Sequence, residues 1–169
     1  MVKKMKRTLI VIDMQNDFID GSLGTKEAEA IVDPVRNLIQ EYKNWGDTRD
    51  THETNYMQTN EGRHLPVEHC IKGTAGWEIA DGIYADGCKI IDKPSFGYTG
   101  WNQYGFEDVC LIGLCTDICV VSNALIIKAL YPEIRVAVDV RCTAGVTPES
   151  KAAALETMKM CQIELVGEE

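Results

Sequence analysis

The chain has 169 residues, 45% of them apolar and 25% charged, with 26 acidic against 17 basic side chains and a formal charge of −9. That size and mixture fit a single domain over residues 1–169 with enough apolar content for a proper core, and the negative balance argues against nucleic acid or an anionic membrane as partner. No apolar run approaches membrane-spanning length, and Leu9 to Ile12, after the basic MVKKMKR start, is too short for a signal-peptide core. Seven cysteines, an odd number in a chain too large to need staples, lead us to expect a reduced, cytoplasmic protein rather than a disulfide framework.

Thr8 to Ile12 is a short β-branched run of the kind buried on both faces of a sheet, with Asp13 at its C-terminal end. Met14-Gln15-Asn16-Asp17-Phe18 follows, and Gly21 to Gly24 reads as a loop. Ile31, Val35, Leu38, Ile39 and Tyr42 recur at helical spacing, with Asp33-Pro34 as N-cap and first position or with Pro34 inside the first turn. A strand is expected next, yet Asn44 to Asp50, NWGDTRD, holds no apolar run; either the second strand is degenerate or a few residues are missing there. Thr51 to Gly76 is polar and loop-like and contains all three histidines, His52, His64 and His69. Trp77 to Ile83 reads as a short helix or as irregular chain. Cys88 to Ile91 is another apolar strand, followed by Asp92-Lys93-Pro94, and the Gly- and aromatic-rich connection from Ser95 to Asp108 is too short for a full crossover helix.

Val109 to Ile112 is an apolar strand that stops at Gly113. The turn Cys115-Thr116-Asp117 then enters a helix predicted over Asp117 to Leu130, with Cys119 near its N-terminus, where unpaired N–H groups and the helix dipole favour thiolate. A strand from Arg135 to Val140, a helix opened by Thr147-Pro148-Glu149 and carrying Ala153, Leu155, Met158 and Cys161, and a strand from Gln162 to Val166 complete the pattern. Strands alternating with helices predict an α/β fold: a three-layer αβα, Rossmann-like domain with a mostly parallel central sheet.

In open parallel sheets ligands bind beyond the carboxyl ends of the strands. Asp13, Lys93 and Cys119 all fall at such ends. Singly they read as a turn cap, a solvated lysine and a core thiol; together they bring a base, a cation and a nucleophile to one rim. A carboxylate can take the thiol proton, an ammonium can stabilise the thiolate, and N–H groups of the turn can receive an oxyanion. No Gly-x-Gly-x-x-Gly follows the first strand, which sets dinucleotide binding aside.

The stretches VIDMQNDFIDGSL (Val11 to Leu23), IDKPSFGY (Ile91 to Tyr98), IGLCTDICVVSNAL (Ile112 to Leu125) and VRCTAGVTPES (Val140 to Ser150) resemble the isochorismatase-like cysteine hydrolases. That superfamily contains nicotinamidases, isochorismatases and N-carbamoylsarcosine amidases. The likeness covers nearly the whole chain. It implies a catalytic triad of Asp13, Lys93 and Cys119, a non-proline cis peptide at Leu114–Cys115, and an oxyanion hole made by the backbone N–H groups of Cys115 and Cys119.

Asp50, His52 and His69 offer a carboxylate and two imidazoles, an acceptable set for zinc or a similar divalent ion, with His64 as a competitor; the same residues also read as solvated side chains of a polar loop. The resemblance favours the metal. Nicotinamidases carry an Asp-x-His and a later His-Cys before Gly-Thr-x-Gly, as here in His69-Cys70 and Gly73-Thr74-Ala75-Gly76, and in them the metal holds the pyridine nitrogen. The chain departs from many nicotinamidases in Leu65-Pro66-Val67, where an aromatic wall is common, in Thr51, where tryptophan is common, and in the short connection after Lys93.

The expected reaction is cleavage of a small-molecule amide, nicotinamide ahead of a carbamoyl compound or isochorismate, in a homo-oligomeric enzyme. Phe18, Tyr98 and Trp101 are the candidates for stacking on a flat ring. A dicarboxylate such as isochorismate calls for arginines at the rim, where only Arg49 and Arg141 stand. A non-enzymatic scaffold with this fold would be marked by a lost triad residue, and none is lost.

Overall fold

The computed structural model of the chain describes residues 6–43 and 45–168. Six strands, β1 (Arg7–Ile12), β2 (Trp45–Asp50), β3 (Lys89–Lys93), β4 (Asp108–Leu114), β5 (Arg135–Ala144) and β6 (Glu164–Val166), form one sheet. Their order is β3-β2-β1-β4-β5-β6, and every neighbouring pair is parallel. β4 is buried along its full length, as its apolar run requires of a central strand with both faces covered.

Six α-helices lie among the described residues: α1 (Asn16–Ile19), α2 (Lys26–Ala30), α3 (Val32–Ile39), α4 (Asn60–His64), α5 (Val121–Leu130) and α6 (Pro148–Met160). Leu9 and Val11 of β1 pack one way, into a core with Ala28, Val35 and Ile39. Ile10 and Ile12 pack the other way, against Val120, Ala124, Ile127 and Met158. The period of two in β1 thus feeds two separate cores, the three-layer arrangement the sequence predicts.

Several boundaries differ from the sequence-based expectation. The first predicted helix is α3, which ends at Ile39, short of Tyr42, and follows the unpredicted α2; Ile31 is the N-cap of α3 and Pro34 lies inside the first turn, where its missing N–H costs nothing. Trp77 to Ile83 is irregular, although Ile79 bridges to Gln15 and Ile83 is fully buried. The connection after β3 carries only a single 3₁₀ turn, Trp101–Gln103. The helix after β4 opens with a wide turn of five residues, Thr116–Val120, in which the Val120 amide reaches back to the Cys115 carbonyl. β5 runs four residues further than predicted, past a register irregularity against β4.

β2 is present despite its polar sequence. Its backbone pairs on both sides, Leu9 to Val11 opposite Trp45 to Asp47 and Gly46 to Asp50 opposite Lys89 to Lys93. Two ladders hold a strand whose buried positions are Asp47, Thr48 and Asp50 rather than aliphatics. The second strand is therefore degenerate rather than incomplete from Trp45 onward, while Asn44 lies outside the described residues. Thr48 and Asp50 serve the site described below. Asp47 does not: neither carboxylate oxygen has a hydrogen-bond partner, and burial pushes its pKa up to about 7.

Asp47 gives the fold a pH signature. The unfolded chain ionises this group near the ordinary value and the folded chain only near 7, so native stability falls between those limits as pH rises and levels off above them. A shift of about 3 units corresponds to about 4 kcal/mol. Urea unfolding from pH 4 to 8 should show this loss in the wild type relative to Asp47→Asn, which lacks the titration; parallel profiles would assign Asp47 an ordinary pKa.

Candidate active site and metal centre

β1 and β4 are neighbours, but the chain leaves β1 towards β2 on one side and enters β5 from β4 on the other, so their C-terminal ends open into a crevice. Asp13 closes β1 with φ of 47°, a conformation aspartate tolerates. Its amide and its Oδ1 both engage Thr48, the hydroxyl donating to the carboxylate at 2.7 Å. From the end of β3, Lys93 brings Nζ to 2.6 Å from Asp13 Oδ2, an ion-pair contact that misses hydrogen-bond alignment. Nζ also donates to the Ser95 carbonyl at 3.1 Å and to Cys119 Sγ at 3.5 Å. Asp13, Lys93 and Cys119, separated by up to 106 residues (119 − 13), are thus brought together, and the first two have no solvent exposure.

The surroundings of Cys119 oppose the thiolate that a helix start favours. Burial, reinforced by the Asp13 carboxylate, raises the Cys119 pKa well above the usual thiol value, and Lys93 only partly opposes this. The helix start also supplies less field than predicted, because α5 proper begins two residues later, at Val121. Burial likewise raises Asp13 against the pull of Lys93, and for Lys93 the neighbouring carboxylates outweigh burial and keep the ammonium charged.

The peptide bond Leu114–Cys115 is cis, as the resemblance implied. Gly113 before it has φ of 108°, and a Cβ there would collide with the Ile12 carbonyl, so only glycine fits.

A second group gathers at the same end of the sheet. Asp50 ends β2, His52 follows it, His69 comes from the long loop, and Glu61 comes from α4. Their donor atoms all lie within 4.8 Å of one another. His52 Nε2 is 3.0 Å from Asp50 Oδ2 and 3.5 Å from Glu61 Oε1; His69 Nε2 is 3.5 Å and 3.7 Å from the same two oxygens. Metal–nitrogen bonds of about 2.1 Å set tetrahedral donors about 3.4 Å apart, so the spacing suits a divalent ion. Two further observations fit. Asp50 Oδ1 and Glu61 Oε1 are buried without a hydrogen-bond partner, and the Val67 carbonyl lies 2.8 Å from His69 Nδ1, which leaves Nε2 as the ligating nitrogen. His64, the predicted competitor, is exposed and engages the Asn60 carbonyl instead. Glu61 escaped the sequence reading, because an acidic residue in a polar loop has no spacing signal; only α4, capped by Thr59, brings it to the histidines.

Lys93 joins the two groups, with Nζ 3.7 Å from Asp50 Oδ1. A cavity of about 220 Å³ opens beside both, lined by Phe18, Leu65, Phe96, Val146, Cys115 and Cys119 together with Asp50, Glu61 and His69. A larger cleft of about 340 Å³ lies over the β1–β2–β3 face but reaches none of Asp13, Lys93 and Cys119, so chemistry selects the smaller space. Phe18 is placed as predicted, its ring 5.5 Å from that of His69. Tyr98 and Trp101 are not: Trp101 is buried in the core on the α5 side, with Tyr98 packed edge-on against it. Asn123 holds both there, accepting from the Tyr98 amide and the Trp101 indole at 2.8 Å each. Phe96 takes the place at the cavity that the sequence reading gave them. Arg49 and Arg141 are committed elsewhere, to Asp92 and Asp139.

Comparison with known proteins fits this geometry. Residues 7–168 match the isochorismatase domain, and the chain belongs to the isochorismatase family. It is 29% identical to the nicotinamidase/pyrazinamidase of Mycobacterium tuberculosis over 95% of this chain and 98% of that one. The zinc complex of the pyrazinamidase of Pyrococcus horikoshii superposes with a TM-score of 0.81 at 29% identity, covering 95% of this chain and 98% of that chain. The N-carbamoylsarcosine amidase of Thermoplasma acidophilum gives 0.76 at 28%, with 95% of each chain covered. No helix among the described residues is long and apolar enough to cross a membrane.

In the metal-free state the pKa of His52 reaches about 9: burial opposes its charge, but the hydrogen bond to Asp50 and the nearby Glu61 carboxylate prevail. An entering ion must displace that proton. Zinc uptake followed by calorimetry should therefore release a proton and tighten about tenfold per pH unit up to that value. Asp50→Ala or His69→Ala should abolish uptake and Glu61→Gln should weaken it. Affinity independent of both pH and these substitutions would remove the metal centre.

Proposed function

We propose that the chain is a cysteine-dependent amidohydrolase that converts nicotinamide to nicotinate and ammonia. The observation that carries this reading is the buried Lys93 ammonium, which meets Asp13, Cys119 and the metal-suited cluster beside one small, mostly apolar cavity. Asp50, His52, Glu61 and His69 would hold a divalent ion, zinc by preference given the nitrogen-rich donor set, and such an ion supplies a Lewis-acidic position for a neutral ring nitrogen. Phe18, beside His69, offers a face to the flat ring.

With the ring so placed, Cys119 Sγ attacks the carboxamide carbon as its proton passes to Asp13. Lys93 keeps its charge throughout and offsets the negative charge that moves from carboxylate to sulfur. The backbone N–H groups of Cys115 and Cys119 receive the carbonyl oxygen as it becomes an oxyanion. Asp13 then returns the proton to the leaving nitrogen, ammonia departs, and a thioester remains. Water, deprotonated by Asp13, opens the thioester and restores the thiol. Because burial raises the pKa of the thiol, transfer of its proton to Asp13 accompanies attack rather than preceding substrate binding. Isochorismate fits less well, since both candidate arginines are paired away from the cavity.

Metal-loaded protein incubated with nicotinamide should release ammonia, and with isochorismate it should yield no pyruvate. Cys119→Ala should lower ammonia release by about 10³-fold or more while leaving the circular dichroism spectrum intact. Cys115→Ala should be far milder, since only its backbone is used. Pyruvate without ammonia would overturn the assignment, and ordinary turnover by Cys119→Ala would overturn the mechanism.

A further inference from the structure

Three large apolar side chains line the cavity while still facing solvent: Leu65 at 39% exposure, Phe96 at 41% and Val146 at 50%. They come from three distant parts of the chain and form a collar. None belongs to the catalytic group or the metal cluster, yet the backbone of each is held by a residue that adjoins one of them. Both carboxylate oxygens of Asp117, two residues before Cys119, accept from the Val146 amide at 3.2 Å. Asn123, four residues after Cys119 and fully buried, donates through Nδ2 to the Phe96 carbonyl at 3.0 Å and to the Cys119 carbonyl at 2.7 Å. Its Oδ1 accepts the two bonds to the Tyr98 and Trp101 segment described above, so all four hydrogen-bonding capacities are in use. Tyr56, whose ring lies 4.7 Å from His52 and 5.0 Å from His69, donates its hydroxyl to the Leu65 carbonyl at 2.8 Å.

We infer that Asp117, Asn123 and Tyr56 are positioning residues that hold the Val146, Phe96 and Leu65 collar at a fixed aperture, which admits neutral, unsubstituted ring amides and rejects ring-substituted ones. The inference rests on reading this cavity as the site of nicotinamide hydrolysis and deepens it. The cluster recognises a ring nitrogen; the collar measures the ring. Apolar contact alone discriminates weakly unless the walls are held, because a mobile wall relaxes around a bulkier ligand. The tethers supply that constraint. They act on backbone atoms, so the collar side chains remain apolar towards the ligand.

Asp117 is the tether to test, since it is only half-buried and belongs to neither core cluster. Kinetics with nicotinamide and 5-methylnicotinamide should show that Asp117→Ala raises the nicotinamide KM about tenfold with little change in kcat and narrows the preference over the methylated amide. Asp117→Asn keeps one acceptor oxygen and should recover part of the loss. Val146→Ala should shift both quantities the same way, and the double variant should fall short of the summed effects. An assay independent of turnover accompanies this: alkylation of Cys119 by iodoacetamide and by N-phenylmaleimide, read by peptide mass spectrometry. The wild-type preference for the small reagent should drop severalfold in Asp117→Ala. An unchanged alkylation ratio, a loss confined to kcat, or additive effects would overturn the collar. If the wild type releases no ammonia from nicotinamide but the alkylation ratio still drops, the collar stands and the substrate assignment falls.

Discussion

A lysine ammonium with no access to solvent sits at the C-terminal edge of the sheet, and the surrounding architecture answers to it. Moving an isolated ammonium out of water costs several kcal/mol, a penalty that only close, well-directed partners can offset. Lys93 finds them in Asp13, the Ser95 carbonyl, the Cys119 sulfur and, further off, Asp50. These belong to the ends of β1, β2 and β3 and to the turn after β4. The charge is satisfied only when those four strands are aligned as observed, with Asp50 opposite Lys93 and Ile12 opposite Gly113. A slip of one residue in any of them would leave a buried charge facing the wrong side chain. The group that the chemistry needs also penalises wrong registers.

The same ammonium explains why two functions share one wall. Asp13 and Asp50 are carboxylates buried close together, and Lys93 reaches both. Burial and Asp50 both raise the pKa of Asp13, and the Lys93 ammonium opposes both effects.

How much of this was legible in the sequence depended on whether a residue's neighbours in the chain were also its neighbours in space. Strands β1 and β4 declared themselves through continuous apolar runs, and Asp13, Lys93 and Cys119 by standing at strand ends. β2 stayed hidden because its buried positions carry Asp47, Thr48 and Asp50, chosen for what lies across the sheet rather than for apolarity. Glu61 was invisible because it acts with histidines nine and eight residues away through the fold of a loop. Tyr98 and Trp101 were misplaced for the opposite reason. Aromatic residues near a catalytic lysine suggest a stacking surface, but Asn123, four residues beyond Cys119, turns them into the core and leaves Phe96 at the cavity.

The strand order has a further consequence for how the molecule is made. β1 lies in the middle of the sheet, yet its second neighbour, β4, begins 101 residues later, Arg7 facing Asp108. On the ribosome, β1, β2 and β3 emerge and can pair long before β4 is synthesised, and until then the inner edge of β1 exposes unsatisfied backbone and aliphatic side chains. That half already contains Asp13, Lys93 and the four metal-suited side chains, but not Cys119, the nucleophile of the proposed mechanism. Cys119 arrives with the segment that closes the exposed edge. The step that covers the open edge of β1 is therefore also the step that would complete the proposed catalytic group.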